Sequence, residues 1–244
     1  MHLYQFVVSI SAIISFASTV PLQSYFKQCK RNDPDLNQCI EDSFNSASSE
    51  FIKADSRRHL ASLSPLYVPC MYIDVHGNLQ INMTENYLTG FDTVHINRVN
   101  WDWNKKIFDV HVMFDYTTFA GNYDIHGQLM ILPIYGNGKA NITFVKPDYH
   151  FTGTYAIKAR SNKEYINLQK CTLPYTLDRA FFKFENLYNN SESSLGKQMS
   201  KILDENWKEV NAELKANIGD GLAEVFCGFF QAYFEKVSLN ELFA

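Results

Sequence analysis

Seven histidines and five cysteines are the side chains in this sequence with the most chemistry to offer, and neither set is spaced along the chain for it. His2, His59, His76, His95, His111, His126 and His150 never fall four apart, so the H-E-x-x-H arrangement that puts two imidazoles on one helical face is absent. No serine is framed as G-x-S-x-G, and no Gly-Lys pair precedes Ser or Thr as a phosphate loop requires. Gly136 and Gly138 lack the third glycine of a dinucleotide fingerprint, and Gly136-Asn137-Gly138 is expected to be a turn between strands. His95, His111 and His126 sit on alternating segments, where an outward polar residue is the commoner reading than an acid or base. Asp102 and Asp109 pair two carboxylates without a cleft signal. These spacings argue for no enzyme, and neither a metal set nor a cofactor is expected.

The cysteines acquire meaning from the start of the chain. Phe6 to Phe16 is an uncharged apolar run, too short to span a bilayer and suited to a signal-peptide core, with Ala17 the expected residue before cleavage. The chain is therefore expected to comprise a signal peptide, 1–17, and one domain, 18–244, secreted into extracellular fluid without stable membrane insertion. Cys29, Cys39, Cys70, Cys171 and Cys227 contain no C-x-x-C pair, so disulfides are the default over zinc. Cys29 and Cys39 close a short local loop. Cys171 and Cys227 are candidates to tie late strands to the final helix, leaving Cys70 as an odd thiol, buried or paired with another chain; five cysteines allow several pairings. Sequons at Asn82, Asn141 and Asn189 agree with the secretory route and belong on the surface if glycosylated.

Composition narrows the partners. The 244 residues are 46% hydrophobic, 15% aromatic and 20% charged, with a net charge of -4. That apolar share excludes a disordered chain, and the charge supplies no basic field for nucleic acid. Rings are abundant, 19 Phe, 14 Tyr and 3 Trp.

Two changes of period position these residues. After Asp33-Pro34, Leu36, Ile40, Phe44, Ala47 and Phe51 mark one face of a helix. From Leu66 to about Phe184 the pattern alternates: Phe108, Val110, Val112, Phe114 and Tyr116 share one side of a strand, and Tyr123, Ile125, Leu129 and Ile131 repeat the device. With turns expected at Gly77-Asn78, Gly121-Asn122, Gly136-Asn137-Gly138 and Ser161-Asn162, this is an antiparallel meander of seven or eight strands. Helical spacing returns from Leu195 to Val237, about 60 Å of helix at ~1.5 Å per residue, with a kink expected at Gly219-Asp220-Gly221.

Local motifs carry a resemblance. Gly121-Asn-Tyr-Asp-Ile-His-Gly127 and Pro133-Ile-Tyr-Gly-Asn-Gly-Lys-Ala-Asn-Ile142 resemble the G-x-Y-x-I-x-G and P-I-x-G-x-G-x-x-x-I elements of the insect takeout and juvenile-hormone-binding protein family. Asn186-Leu-Tyr-Asn-Asn190, Leu195-Gly196, Leu203-Asp-Glu-Asn-Trp-Lys-Glu-Val210 and Glu241-Leu-Phe243 are similar to its N-L-F-N-G, L-G, L-N-E-N-W and D-L-F elements, and Cys29 and Cys39 match its N-terminal disulfide pair. The chain departs from the family before the first strand, where His59 to Leu66 lacks a G-I-P lead-in, and at Cys70. The resemblance implies an α+β fold: a long, highly curved antiparallel sheet wrapped around a long C-terminal helix, with a short N-terminal helix. It also implies carriage or sensing of a small hydrophobic ligand, a terpenoid or fatty acid, in an elongated apolar tunnel.

Inward alternation then places Phe114, Tyr116, Tyr123, Ile125, Ile131 and Phe144 from the sheet and Phe226, Phe230 and Tyr233 from the helix in the tunnel lining; a solid core would use the same faces. Two rivals stand beside this reading. A secreted signalling or interaction protein of circadian or feeding physiology, with a vestigial pocket and an extracellular protein partner, would use Trp101 and Trp103 as an exposed pair around Asp102. A lipocalin-like barrel would end in a short helix.

Overall fold

The stripe Leu36, Ile40, Phe44, Ala47, Phe51 forms α1, Leu36–Phe51, with Leu36, Ser43 and Ala47 buried. The helix begins two residues beyond Pro34, because Asp33 builds the lead-in turn: its Oδ1 accepts from the Asp35 N–H at 3.0 Å and its carbonyl from that of Leu36 at 3.2 Å. The structure, a computed structural model, describes residues 26–189 and 194–244. The expected signal peptide and its cleavage point at Ala17 lie outside the described residues.

Ten strands follow: β1 Leu66–Val75, β2 Leu79–Thr89, β3 His95–Asp102, β4 Ile107–Met113, β5 Tyr116–Leu129, β6 Leu132–Val145, β7 Asp148–Arg160, β8 Lys163–Thr172, β9 Tyr175–Thr176 and β10 Arg179–Phe184. They are antiparallel throughout and fall into two five-stranded halves, ordered β1-β2-β5-β6-β10 and β3-β4-β7-β8, with β9 on β7. The halves meet at a corner, where the Phe114 N–H donates to the Pro147 carbonyl at 3.1 Å and the Lys146 N–H to the Asp115 carbonyl at 2.8 Å. The order is therefore not that of a simple meander, since the β3-β4 hairpin leaves β2 free to pair with β5.

Two expected turns lie inside strands. Gly121-Asn122 is within β5, and Gly136-Asn137-Gly138 is within β6; the reversal between them comes at Met130-Ile131, which carry neither Gly nor Asn. The glycines serve close approach instead. A Cβ on Gly136 would stand 2.8 Å from the Asn186 carbonyl oxygen, and Leu187 bridges to this glycine.

The final helical run is two helices, α2 Ser194–Glu205 and α3 Trp207–Lys236, followed by the short α4 Leu239–Leu242. It breaks at Asn206 and not at Gly219–Gly221. The partner comes from the sheet: Arg179 Nη2 on β10 binds the Asp204 carbonyl at 2.8 Å and its Oδ1 at 2.7 Å, and Asn206 Nδ2 returns to the Ile202 carbonyl at 2.9 Å. Gly219 and Gly221 let α3 pack between the halves, since a Cβ there would lie 3.1 Å from the Leu173 carbonyl oxygen and 3.2 Å from Met71 Sδ. Val210, Leu214, Ile218 and Leu222 bury the helix against the sheet. Disulfides join Cys29 to Cys39, and Cys171 on β8 to Cys227 on α3. Cys70 is a free thiol exposed on the edge strand β1, so it is not buried as one reading expected. Among the described residues no helix is long and apolar enough to cross a membrane.

Candidate functional site

Above the corner, α1, the inner face of β3, β4 and β7, and the C-terminal half of α3 line a half-open cavity of about 240 Å³. Strand alternation produces the wall: Phe108, Val110 and Val112 of β4 and Phe151 of β7 point inward, while Asp109, His111, His150 and Thr152 point out. The wall is a single layer of sheet. The opposite side is aromatic, with Phe44 and Phe51 from α1 facing Phe226, Phe230 and Tyr233 from α3. Phe51 touches Phe44, Phe229, Phe230 and Tyr233, with ring centroids 5.1–6.4 Å apart, mostly edge to face, the arrangement aromatic quadrupoles favour. Phe243 closes one end. Its strand-like pairing with Cys29, and the Ala244 N–H donated to the Cys29 carbonyl at 2.9 Å, hold it there.

Most polar groups at the cavity are already committed. Ser43 Oγ donates to the Lys27 carbonyl at 2.8 Å, and the Tyr149 hydroxyl shares a 2.9 Å bond with Thr117 Oγ1. Burial holds the Tyr149 phenol far above its ordinary pKa, against a smaller opposing effect of the Thr117 bond, so it stays neutral. Cys29 is in its disulfide. Among the described lining residues there is no carboxylate and no histidine, hence no nucleophile-base pair of acyl-transfer type. Trp101 Nε1, Trp103 Nε1 and Tyr155 Oη are buried together in the ring cluster at this end, with the Trp101 indole directed at the Tyr155 hydroxyl, where it opposes the upward effect of burial on that phenol. Trp101 and Trp103 are therefore not an exposed pair. They pack on Phe108, Tyr155 and Phe243, and the Arg31 guanidinium covers Trp103 at 4.3 Å.

Of the residues expected in the lining, Phe114, Phe226, Phe230 and Tyr233 face this cavity. Five do not. Tyr123 packs on Phe184 with the rings tilted by 59° and donates its hydroxyl to the Glu185 carbonyl at 2.6 Å, Ile125 is buried in the core beyond the corner, and Phe144 stacks on Tyr175. Tyr116 is 41% exposed at the start of β5, and Ile131 is 82% exposed because it occupies the β5–β6 turn. Alternation tells which face a residue occupies but not how far along the sheet the cavity extends. The α1 contribution went unassigned although its signal, Phe44 and Phe51 on one apolar stripe, was in the sequence. Asn82, Asn141 and Asn189 are all exposed.

A curved antiparallel sheet closed by a long helix over an apolar cavity defines a takeout-type fold. The crystal structure of Takeout 1 from Epiphyas postvittana matches with a TM-score of 0.77 at 25% identity, covering 88% of this chain and 98% of that one. The profile of the haemolymph juvenile hormone binding protein family matches residues 5–244, and the chain belongs to that family. Relatives include the circadian clock-controlled protein daywake of Drosophila melanogaster, 22% identical over 235 residues and covering 90% of this chain and 87% of the relative. Daywake of Drosophila yakuba is 20% identical over 232 residues, with the same coverage.

Proposed function

We propose that this protein is a secreted, non-catalytic carrier or sensor for a small hydrophobic ligand, a juvenile-hormone-like terpenoid or a fatty acid. The observation that carries the proposal is a half-open cavity whose lining is aliphatic and aromatic apart from Lys27, Ser43 and the Tyr149 hydroxyl. Such a site withdraws apolar surface from water at ~25 cal/mol per Å². Native mass spectrometry of the protein from its own source, followed by delipidation and titration with terpenoid esters and fatty acids, tests this. A retained hydrophobic species, or saturable uptake after delipidation, is the expected result; a clean apo mass that takes up neither class overturns it.

The similarity to proteins named circadian clock-controlled favours a second reading, a secreted signal timed to the day with a vestigial pocket. The same titration separates the two, since that role requires no uptake.

A further inference from the structure

On the reverse of the cavity wall, antiparallel pairing sets His111 of β4 directly beside His150 of β7. Their rings are 3.6 Å apart at the centroids, with planes 36° apart. Asp148 lies two residues before His150 and so on the same face of β7, and one ligand atom from each of the three residues falls within 4.8 Å of the others. Asp148 Oδ1 is buried as an atom, makes no hydrogen bond, and stands 3.7 Å from His150 Nε2. A carboxylate oxygen withdrawn from water without a donor is costly, and a cation is one of the partners that would relieve it.

We propose that His111, His150 and Asp148 form a binding site for one divalent transition-metal ion of the zinc class. Two imidazole nitrogens and a carboxylate oxygen are the donors Zn²⁺ accepts, at about 2.0–2.2 Å, and three protein ligands leave a fourth position for water. Tetrahedral geometry at those bond lengths sets ligand atoms about 3.3 Å apart, so closing the present spacing takes side-chain rotation and no backbone shift. The histidines are 39 residues apart in number and meet only through the sheet, which is why spacing along the chain does not reveal them.

The surrounding charges set the affinity. From β3, Arg98 Nη2 contacts His111 Nε2 and lies 3.7 Å from Asp109 Oδ1. From β4, Asp109 Oδ1 is 3.4 Å from His111 Nε2, while its other oxygen accepts from Thr152 Oγ1 at 2.7 Å. Asp109 thus supplies a second negative charge beside the ion and Arg98 an opposing positive one. The Arg98 side chain is 63% exposed and can withdraw into solvent when an ion takes the nitrogen it covers.

Calorimetric titration of the untagged full chain with Zn²⁺, and with Co²⁺ for its visible ligand-field bands, tests the site. The expected result is one equivalent bound per chain, weakened at least about tenfold in His111→Gln and in His150→Gln. Arg98→Gln is expected to bind more tightly, a gain that damaged folding cannot produce. Failure of the wild type to bind a stoichiometric ion overturns the proposal. So does binding by both histidine variants at wild-type strength, which would place the ion on the exposed His59, His76, His95 or His126 instead.

Discussion

Phe51 on α1 and Phe230 on α3 lie face to face, their ring centroids 6.4 Å apart and their planes 15° from parallel. Phe230 also stacks on Phe151 of the sheet at 5.3 Å. One side chain thereby connects the N-terminal helix, the C-terminal helix and the cavity wall. The size of the space among them depends on that ring.

Phe230→Trp is expected to fill part of the cavity. Overpacking of about 1–3 kcal/mol corresponds to roughly 5- to 150-fold weaker ligand binding. Ile131→Trp, at the exposed β5–β6 turn, should bind like wild type. Displacement of a fluorescent lipid probe measures both, and equal binding by the two variants would remove Phe230 from the site.

Gly153 stands across from Phe108 in the β4–β7 pairing, and a Cβ on it would lie 2.3 Å from Phe108 Cζ. The ring is held by Trp101 and Phe151, with centroids 5.3 and 5.5 Å away, so it has little freedom to yield except toward the cavity. Gly153→Ala should cost about 1–3 kcal/mol in urea denaturation and weaken ligand uptake at the same time.

The two disulfides should differ in worth. Loop closure over a separation of 56 residues for Cys171–Cys227 predicts about 4 kcal/mol, against about 3 kcal/mol over 10 residues for Cys29–Cys39. Paired serine substitutions followed by denaturant titration give the order; a larger loss from the N-terminal pair would contradict it.

The Tyr123 phenol is pushed up to about 12, by burial first and then by Asp124 and Glu185. The unfolded chain ionises this group near 10.0 while the folded one holds the proton, so its contribution is complete below pH 10 and is lost as pH rises through about 12. Stability measured across that window should fall less steeply in Tyr123→Phe than in the wild type, despite the lost bond to Glu185.

Local periodicity carried the helices and the inward faces of the strands, because side-chain direction follows from the period alone. The helix over Leu36 to Phe51 and the extended character of Leu66 to Phe184 follow for that reason, although ten strands form where seven or eight are expected and two expected turns fall inside β5 and β6. The break at Asn206 did not, since it depends on Arg179 arriving from β10. The corner between the two halves of the sheet also had no local sign: β2 prefers β5 over β3 through contacts distant in sequence. Inward residues of β5 and β6 consequently looked equivalent to those of β4, although Tyr123, Ile125 and Phe144 lie beyond the corner. The family resemblance supplied the general architecture and the N-terminal disulfide, but not the depth of the cavity.

Because one ply of backbone separates the cavity from the outer face, the amides of β4 and β7 register events on both sides. A ligand that rests on Val110, Val112 and Phe151 opposes the openings through which those amides exchange with water. Deuterium uptake along these two strands therefore serves as a label-free gauge of occupancy.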